Sequence, residues 1–261
     1  MKEEKIIISL TSWVKRVNNI PIVLSSILKQ TKIPDKIVIN LCYHEFKECY
    51  GESLLPKNVL DFLKLHEDII EINWLENNTY VWKKSIPTMY KYPNDCIICI
   101  DDDFLYPDDF VETFVKKHNE IPDYPLSGVD IVCFKKASIQ HCGCASMDKL
   151  EWLKPELERI NIDIFACGDE DTFLTFCYTV LNKKMVFVGK KYWINMPSLI
   201  DDNGYSKNNN ISNIHTWLTC LGIMSSPYKN KNLLNQIYEH MGNVNINGND
   251  IINYICKPHT L

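Results

Sequence analysis

Three consecutive carboxylates, Asp101, Asp102 and Asp103, directly follow the apolar run Cys96–Ile100 in "CIICIDDDFLYPDDF". Two like unit charges about 4 Å apart repel by roughly 4 kcal/mol at an effective dielectric of ~20. The triplet therefore needs a neutralising partner. A hard divalent cation such as Mg²⁺ or Mn²⁺ is the simplest one, because it takes carboxylate oxygens and keeps positions open for phosphate oxygens. In an extended segment residues i and i+2 point the same way, which predicts Asp101 and Asp103 on one side and Asp102 on the other. The plainer alternative is a solvated acidic turn before a helix beginning at Pro107. That suits Asp108 and Asp109, which would sit in the helix N-terminus. It suits the triplet poorly, since the preceding strand is too apolar for an exposed edge.

A second acidic group, Asp169, Glu170 and Asp171 in "GDEDTFL", opens a segment with Phe173, Leu174, Cys177, Val180 and Leu181 on one helical face. Acids in a first turn are stabilised by the helix dipole, and that alone would account for them. Arg16 offers a guanidinium that fits phosphate bidentately, against the alternative of a surface arginine in a loop. Lys83 and Lys84 are point charges for phosphate, or two exposed lysines at a helix start. His141, Cys142 and Cys144 lack a distant second pair and do not have zinc-site spacing. Trp82, Tyr192, Trp193 and Trp217 either stack on sugar rings or belong to the core. No Gly-rich phosphate loop of NTPase or dinucleotide type is present.

These residues must be positioned by a fold. "KIIISL" from Lys5 reads as a strand, followed by a helix with Ile20, Val23, Leu24, Ile27 and Leu28 on one face, opened by Asn18, Asn19 and Pro21. Further strands are expected at Asp35–Leu41, Ile69–Trp74 and Cys96–Ile100, with helices around Leu55–Leu65 and Lys83–Tyr92. This β-then-α order predicts an α/β fold with a mostly parallel sheet and flanking helices. Ligands of such sheets gather beyond the carboxyl ends of the strands, where the triplet lies. After Pro125 the alternation weakens. Residues 201–213 are Asn-rich and read as a loop, and the tail from Asn230 reads as short helices, with Leu233, Leu234 and Ile237 on one face. One domain is expected over 1–261, divided into 1–125, 126–200 and 201–261.

The 261 residues carry 46% hydrophobic and 23% charged side chains and a formal net charge of −5, an ordinary globular composition. Basic residues are scattered, which disfavours a nucleic-acid partner. The start, "MKEEKIIISL", lacks the pattern of a secretory signal, and no run approaches ~18 apolar residues. Of the 11 cysteines, Cys96, Cys99, Cys133 and Cys177 lie in apolar runs and are expected as buried free thiols. A cytoplasmic location is expected, with peripheral docking to the inner face of a membrane left open.

Taken in order, these motifs resemble the nucleotide-sugar glycosyltransferases of the GT-A fold, in particular family-2-like bacterial enzymes. "IICIDDDFLYP" matches the Asp-x-Asp motif after an apolar strand, and "IISLTSWVKR" looks like the opening seen in a branch of these enzymes. "KKSIPTMYKYPND" resembles that branch's Lys-Lys-x-x-Pro segment, and Gly168–Gly189 is similar to the acidic motif opening the acceptor-side helix. The resemblance covers Lys5 to Gly189. It implies a metal-dependent transfer of a sugar from a nucleotide-diphosphate donor to a hydroxyl of a glycan or lipid-linked acceptor, with inversion, in polysaccharide biosynthesis. It further implies Mn²⁺ or Mg²⁺ held by Asp103 and Asp101, with His215 as a third metal ligand or a packed histidine. Nucleotide-sugar contacts are implied for Thr11, Ser12, Arg16, Lys83, Lys84, Asp101 and Asp102. Asp171, or else Glu170, is implied as the base that deprotonates the acceptor. The glycine of "HCGC" falls where the family lines its acceptor site.

Three other readings share features. A haloacid-dehalogenase-like phosphatase also has Asp-x-Asp after a strand, but Leu105 stands where its threonine belongs. A sugar nucleotidyltransferase would share sheet and metal, yet "TSWVKR" replaces its Gly-rich basic loop. A non-catalytic sugar-binding relative is disfavoured by intact Asp101, Asp103 and Asp171.

Overall fold

The computed structural model describes residues 4–128, 132–133, 139–140, 145–159, 170–181, 183–188, 199, 253 and 255–260. Four apolar runs form parallel strands: β1 (Ile6–Thr11), β2 (Lys36–Cys42), β3 (Ile70–Leu75) and β4 (Cys96–Ile100). β1 lies between β2 and β4, and β3 pairs outside β2. β1, β2 and β4 are buried almost throughout, as Ile- and Val-rich strands covered on both faces must be.

The helices between them are α1 (Ile20–Leu28), α2 (Tyr43–Tyr50), α3 (Lys57–Leu65), α4 (Ile86–Lys91) and α5 (Phe110–Glu120). Pro21 and Pro87 stand in the first turns of α1 and α4, where the missing N–H costs no bond. Val23, Leu24 and Ile27 of α1 and Phe110 and Phe114 of α5 pack with Ile8, Leu10, Ile39, Ile98 and Ile100 of the sheet. Each such side chain contributes roughly 1.5–3 kcal/mol on full burial.

Beyond α5 come β5 (Leu126–Ser127), β6 (Val132–Cys133), β7 (Ile139–Gln140), β8 (Ala145–Asp148), α6 (Leu150–Arg159), α7 (Glu170–Val180) and β9 (Val186–Phe187). The main sheet has the order β3-β2-β1-β4-β8-β5-β9, and β6 pairs separately with β7. β8 runs antiparallel to both β4 and β5, so the sheet is mixed, and the strands β1 to β4 form the parallel part that the β-then-α order predicts.

Two element expectations shift. The segment Lys83–Tyr92 divides into a 3-10 turn at Tyr80–Lys83 and α4. The helix expected from Pro107 starts at Phe110, whose N–H donates to the Pro107 carbonyl at 3.0 Å, and Asp109 precedes it without a side-chain capping bond. Cys96, Cys99 and Cys177 are buried free thiols and Trp82 is core. The expectations at the Cys133 side chain, His141, Cys142, Cys144, Asp169, Tyr192, Trp193, 201–213, His215, Trp217 and the tail face of Leu233, Leu234 and Ile237 fall outside the described residues. Among the described residues no helix is long and apolar enough to cross a membrane.

Candidate active site

The chain winds outward from β1 to β2 to β3 and then returns to the far side of β1 as β4. That reversal opens a crevice at the carboxyl ends of β1 and β4, the place where open α/β sheets bind ligands. Thr11 and Ser12 leave β1 there, and Asp101, Asp102 and Asp103 leave β4 there.

The triplet does not alternate as an extended segment would. The Asp101 N–H donates to the Tyr106 hydroxyl at 2.9 Å, which in turn donates to the Asp101 carbonyl at 3.3 Å. The strand ends at Ile100 and the chain turns. As a result Asp102 and Asp103 share one partner, with Arg16 Nη2 at 2.9 and 2.7 Å, whereas Asp101 faces Lys84 at 3.2 Å. The pairing of Asp101 with Asp103 read from strand periodicity is thus replaced by a pairing of neighbours within the turn.

Asp102 is the inner member. Ser12 Oγ donates to it at 2.6 Å, and burial pushes its carboxyl up to about 7 even though Arg16 and Ser12 pull the other way. Asp101 and Asp103 keep 29% and 28% of their side chains open to solvent, against 8% for Asp102. Those two carboxylates offer hard oxygen donors at the crevice, each paired with a basic side chain.

On the other side of the crevice lies Lys84, which is buried and not an exposed lysine at a helix start. A polar seam across the sheet sets its position. Asn40 Nδ2 donates to Thr88 Oγ1 at 2.8 Å and to Ser9 Oγ at 3.2 Å, and Ser9 Oγ donates to the Lys84 carbonyl at 2.5 Å. The Lys84 ammonium then meets Asp171 Oδ1 at 2.7 Å and Asp101 Oδ1 at 3.2 Å. Burial by itself would lower its pKa, but the charges of Asp101, Asp171 and Glu170 hold it well above the ordinary lysine range.

Glu170 and Asp171 open α7 yet do different things. Glu170 is buried and accepts both the N–H and the hydroxyl of Ser85, while its Oε2 is buried without a partner. Burial pushes its carboxyl up to about 7. Asp171 keeps 20% of its side chain open. Behind them Asp148, at the end of β8, accepts hydroxyls of Ser146 and Tyr178, both at 2.5 Å, and is pushed by burial up to about 6.

A cavity of about 290 Å³ adjoins the crevice, walled by Thr11, Ser12, Trp13, Arg16, Asn78 and Lys83 among others. Lys83 is buried, donates to Asn78 Oδ1 at 2.6 Å and is lowered by burial to about 8, with Glu45 opposing. Trp13 Nε1 is buried and donates to nothing. A buried donor without an acceptor in a cavity wall marks a place for one. Tyr80 stands in the same wall, 57% exposed, with φ at 52°, a conformation uncommon for a residue with a side chain.

The fold therefore gathers Ser12, Arg16, Asp101, Asp102, Asp103, Lys84, Glu170 and Asp171 around one crevice. Thr11 lines the cavity, but its hydroxyl is spent on the Asn40 carbonyl at 2.7 Å. Lys83 stands apart from Lys84, in the cavity wall. Sequence reasoning missed Ser85, Asp148, Asn78 and Trp13. The polar residues Ser9 and Asn40 inside the apolar runs "KIIISL" and "KIVINL" were a usable sign of the buried seam.

No family model matches the chain, and no curated protein does. Solved structures do. A mannosyltransferase from Pyrobaculum calidifontis, in complex with GDP-Man and Mn²⁺, superposes with a TM-score of 0.61 at 11% identity, over 97% of this chain and 71% of that one. TarS 1–349 from S. aureus, in complex with UDP-GlcNAc, gives 0.54 at 12% identity, over 91% and 70%. Glucosyl-3-phosphoglycerate synthase from Mycobacterium tuberculosis, with Mn²⁺, UDP and glucosyl-3-phosphoglycerate, gives 0.52 at 10% identity, over 83% and 79%. The architecture of this chain, a mixed sheet with its switch point at β1 and β4, is the GT-A fold that it shares with these structures.

Proposed function

We propose that this protein is a metal-dependent glycosyltransferase that moves a sugar from a nucleotide-diphosphate donor to a hydroxyl of a glycan or lipid-linked acceptor, with inversion. The observation that carries this is the Lys84 bridge. One buried ammonium holds Asp101, from the end of β4, and Asp171, from the start of α7, on either side of it.

Inverting transfer needs a donor-side charge sink and an acceptor-side base within one crevice. Asp101 and Asp103 would hold Mn²⁺ or Mg²⁺, and the metal supplies charge stabilisation for the departing diphosphate. Two of the similar structures contain Mn²⁺, which supports a divalent ion. Arg16 fixes Asp103 through the shared pair with Asp102. The cavity suits the nucleoside, with the Trp13 indole N–H free to donate to it and Tyr80 at hand to cover it. Asp171 is the base, because it is the open member of its pair. Glu170, hooked to Ser85, is a positioning residue for the chain that carries Lys84. The acceptor hydroxyl gives its proton to Asp171 as its oxygen attacks the anomeric carbon. The buried free thiols suit a reducing, cytoplasmic setting.

The test is thermal stability against a panel of nucleoside diphosphates, with and without Mn²⁺, for wild type and Asp103→Ala, followed by assay of diphosphate release from the matching nucleotide sugar. A metal-dependent rise for one nucleotide, lost in the variant, is expected, since a ligand bound only by the folded state stabilises it. No rise with any nucleotide overturns the reading. A rise without sugar release in the presence of acceptor glycans leaves a sugar-binding relative.

A further inference from the structure

A second group of metal-binding side chains lies away from the aspartate crevice. His44 stands in the first turn of α2, Glu76 directly follows β3, and His259 comes from the far end of the chain. The segment carrying His259 is laid along β3, the outermost strand of the sheet. The Glu76 N–H donates to the Lys257 carbonyl and the His259 N–H donates to the Trp74 carbonyl, both at 2.9 Å, and Leu75 bridges Pro258. The backbone alone therefore brings His259 beside Glu76, across 183 residues of sequence.

The side chains complete the arrangement. Glu76 Oε1 lies 3.3 Å from His44 Nε2, and Glu76 Oε2 lies 2.7 Å from His259 Nδ1. One donor atom from each residue falls within 4.8 Å of the other two. The Tyr43 ring stacks on His259 at 3.5 Å with an interplanar angle of 13°, which fixes the imidazole plane. Tetrahedral Zn²⁺ with bonds of about 2.0–2.1 Å sets its ligand atoms roughly 3.3 Å apart. The His44 nitrogen already stands at that distance from a Glu76 oxygen.

We infer that His44, Glu76 and His259 form a binding site for a borderline divalent cation of the Zn²⁺ type, separate from the aspartate crevice. Two imidazoles and one carboxylate suit zinc, whereas Mg²⁺ and Mn²⁺ favour all-oxygen sets. His44 is 60% exposed, so the fourth position opens to water. Lys257 is the lysine whose field reaches Glu76, and it is exposed. The metal clamps the segment 257–259 to the ends of β2 and β3. The clamp also bears on the nucleoside cavity, since Glu45 and Asn78 sit one and two residues beyond two of the ligands. Asn78 Nδ2 donates to Glu45 Oε2 at 2.9 Å, and both residues line the cavity. The similar cluster Glu4, Cys96 and His118 offers no such site. There the carboxylate is bound by Lys149 and burial keeps the Cys96 sulfur as a thiol.

The experiment is titration of the full chain with Zn²⁺ alone against a chromophoric chelator, with Co²⁺ absorption as a second readout. Wild type is expected to take up a zinc ion at this site and to give the strong visible bands of four-coordinate Co²⁺. His44→Ala and His259→Ala each weaken Zn²⁺ binding about tenfold or more, a loss of about 1.4 kcal/mol, while Asp103→Ala retains it. His44 is exposed enough for its variant to fold. Equal zinc affinity in wild type and the His44→Ala/His259→Ala double variant overturns the site. So does zinc binding that is lost in Asp103→Ala and kept in the double variant. Neither outcome depends on glycosyl transfer.

Discussion

On one side of the crevice Arg16 gathers Asp102 and Asp103, and on the other Lys84 gathers Asp101 and Asp171. The first cluster is built within the parallel half of the fold, from residues that leave the adjacent strands β1 and β4. It contains a carboxyl, Asp102, that burial has already raised to about 7 and that can take a proton if its partner fails. The second joins the sheet to α7. Its lysine is locked in the charged form by the acids around it, and its acids come from distant parts of the chain. The difference is one of tolerance: in the Arg16 cluster the raised carboxyl is a direct partner of the cation, whereas at Lys84 the raised carboxyl, Glu170, stands beside the pairs with Asp101 and Asp171 and not in them.

The largest expected effect separates the clusters chemically. Asp171→Asn should lower turnover by about 10²–10⁴, the usual worth of a general base, with nucleotide affinity little changed in single-turnover kinetics and titration. Asp103→Ala should instead remove the metal-dependent nucleotide response. If Asp171→Asn abolishes nucleotide binding, the two clusters are one site and the comparison breaks.

Stability sharpens it next. Lys84→Met strands Asp101 and Asp171 beside buried Glu170, and removing one partner of a buried pair costs on the order of 3–5 kcal/mol. Arg16→Met should cost less, about 1–3 kcal/mol, because Asp102 takes up a proton. Urea unfolding of the two variants at pH 7 measures both, and equal losses would contradict the asymmetry.

The pH dependence follows from the raised carboxyls. Glu170 moves from an ordinary 4.5 to about 7 and Asp148 from 3.8 to about 6. Between those values the folded chain holds protons that the unfolded chain releases, so their contribution is fully present below about pH 4 and is lost as the pH climbs to about 7. Glu170→Gln should flatten that fall, with a gain over wild type on the order of 2 kcal/mol at pH 8 that disappears at pH 5. A variant with the same pH slope as wild type would place the titration elsewhere.

The smallest effect concerns Lys83, lowered by burial to about 8. A bound diphosphate should draw a proton onto it, so nucleotide binding at pH 8 should take up a fraction of a proton, read from calorimetry in buffers of different ionisation enthalpy. Lys83→Met should remove that uptake with only a modest loss of affinity.

What the sequence determined by itself is local. The runs at β1, β2 and β4 are largely apolar over a strand's length, and α1 and α5 carry apolar residues at helical spacing, because burial imposes its pattern on neighbouring residues. The acid triplet was visible for the same reason, as a local conflict between charge and an apolar strand. Tertiary structure alone decided which cation meets which acid. Strand periodicity put Asp101 with Asp103, but the hydroxyl of Tyr106 ends the strand and hands Asp102 and Asp103 to Arg16. Lys83 and Lys84 read alike in sequence, yet one lines the cavity with Asn78 and the other bridges Asp101 and Asp171. His44, Glu76 and His259 carry no common motif and meet only because residues 257–259 pair with the outer edge of the sheet. Such meetings depend on strand register and helix docking between distant segments, and their energies lie in burial and charge that no short window of sequence contains.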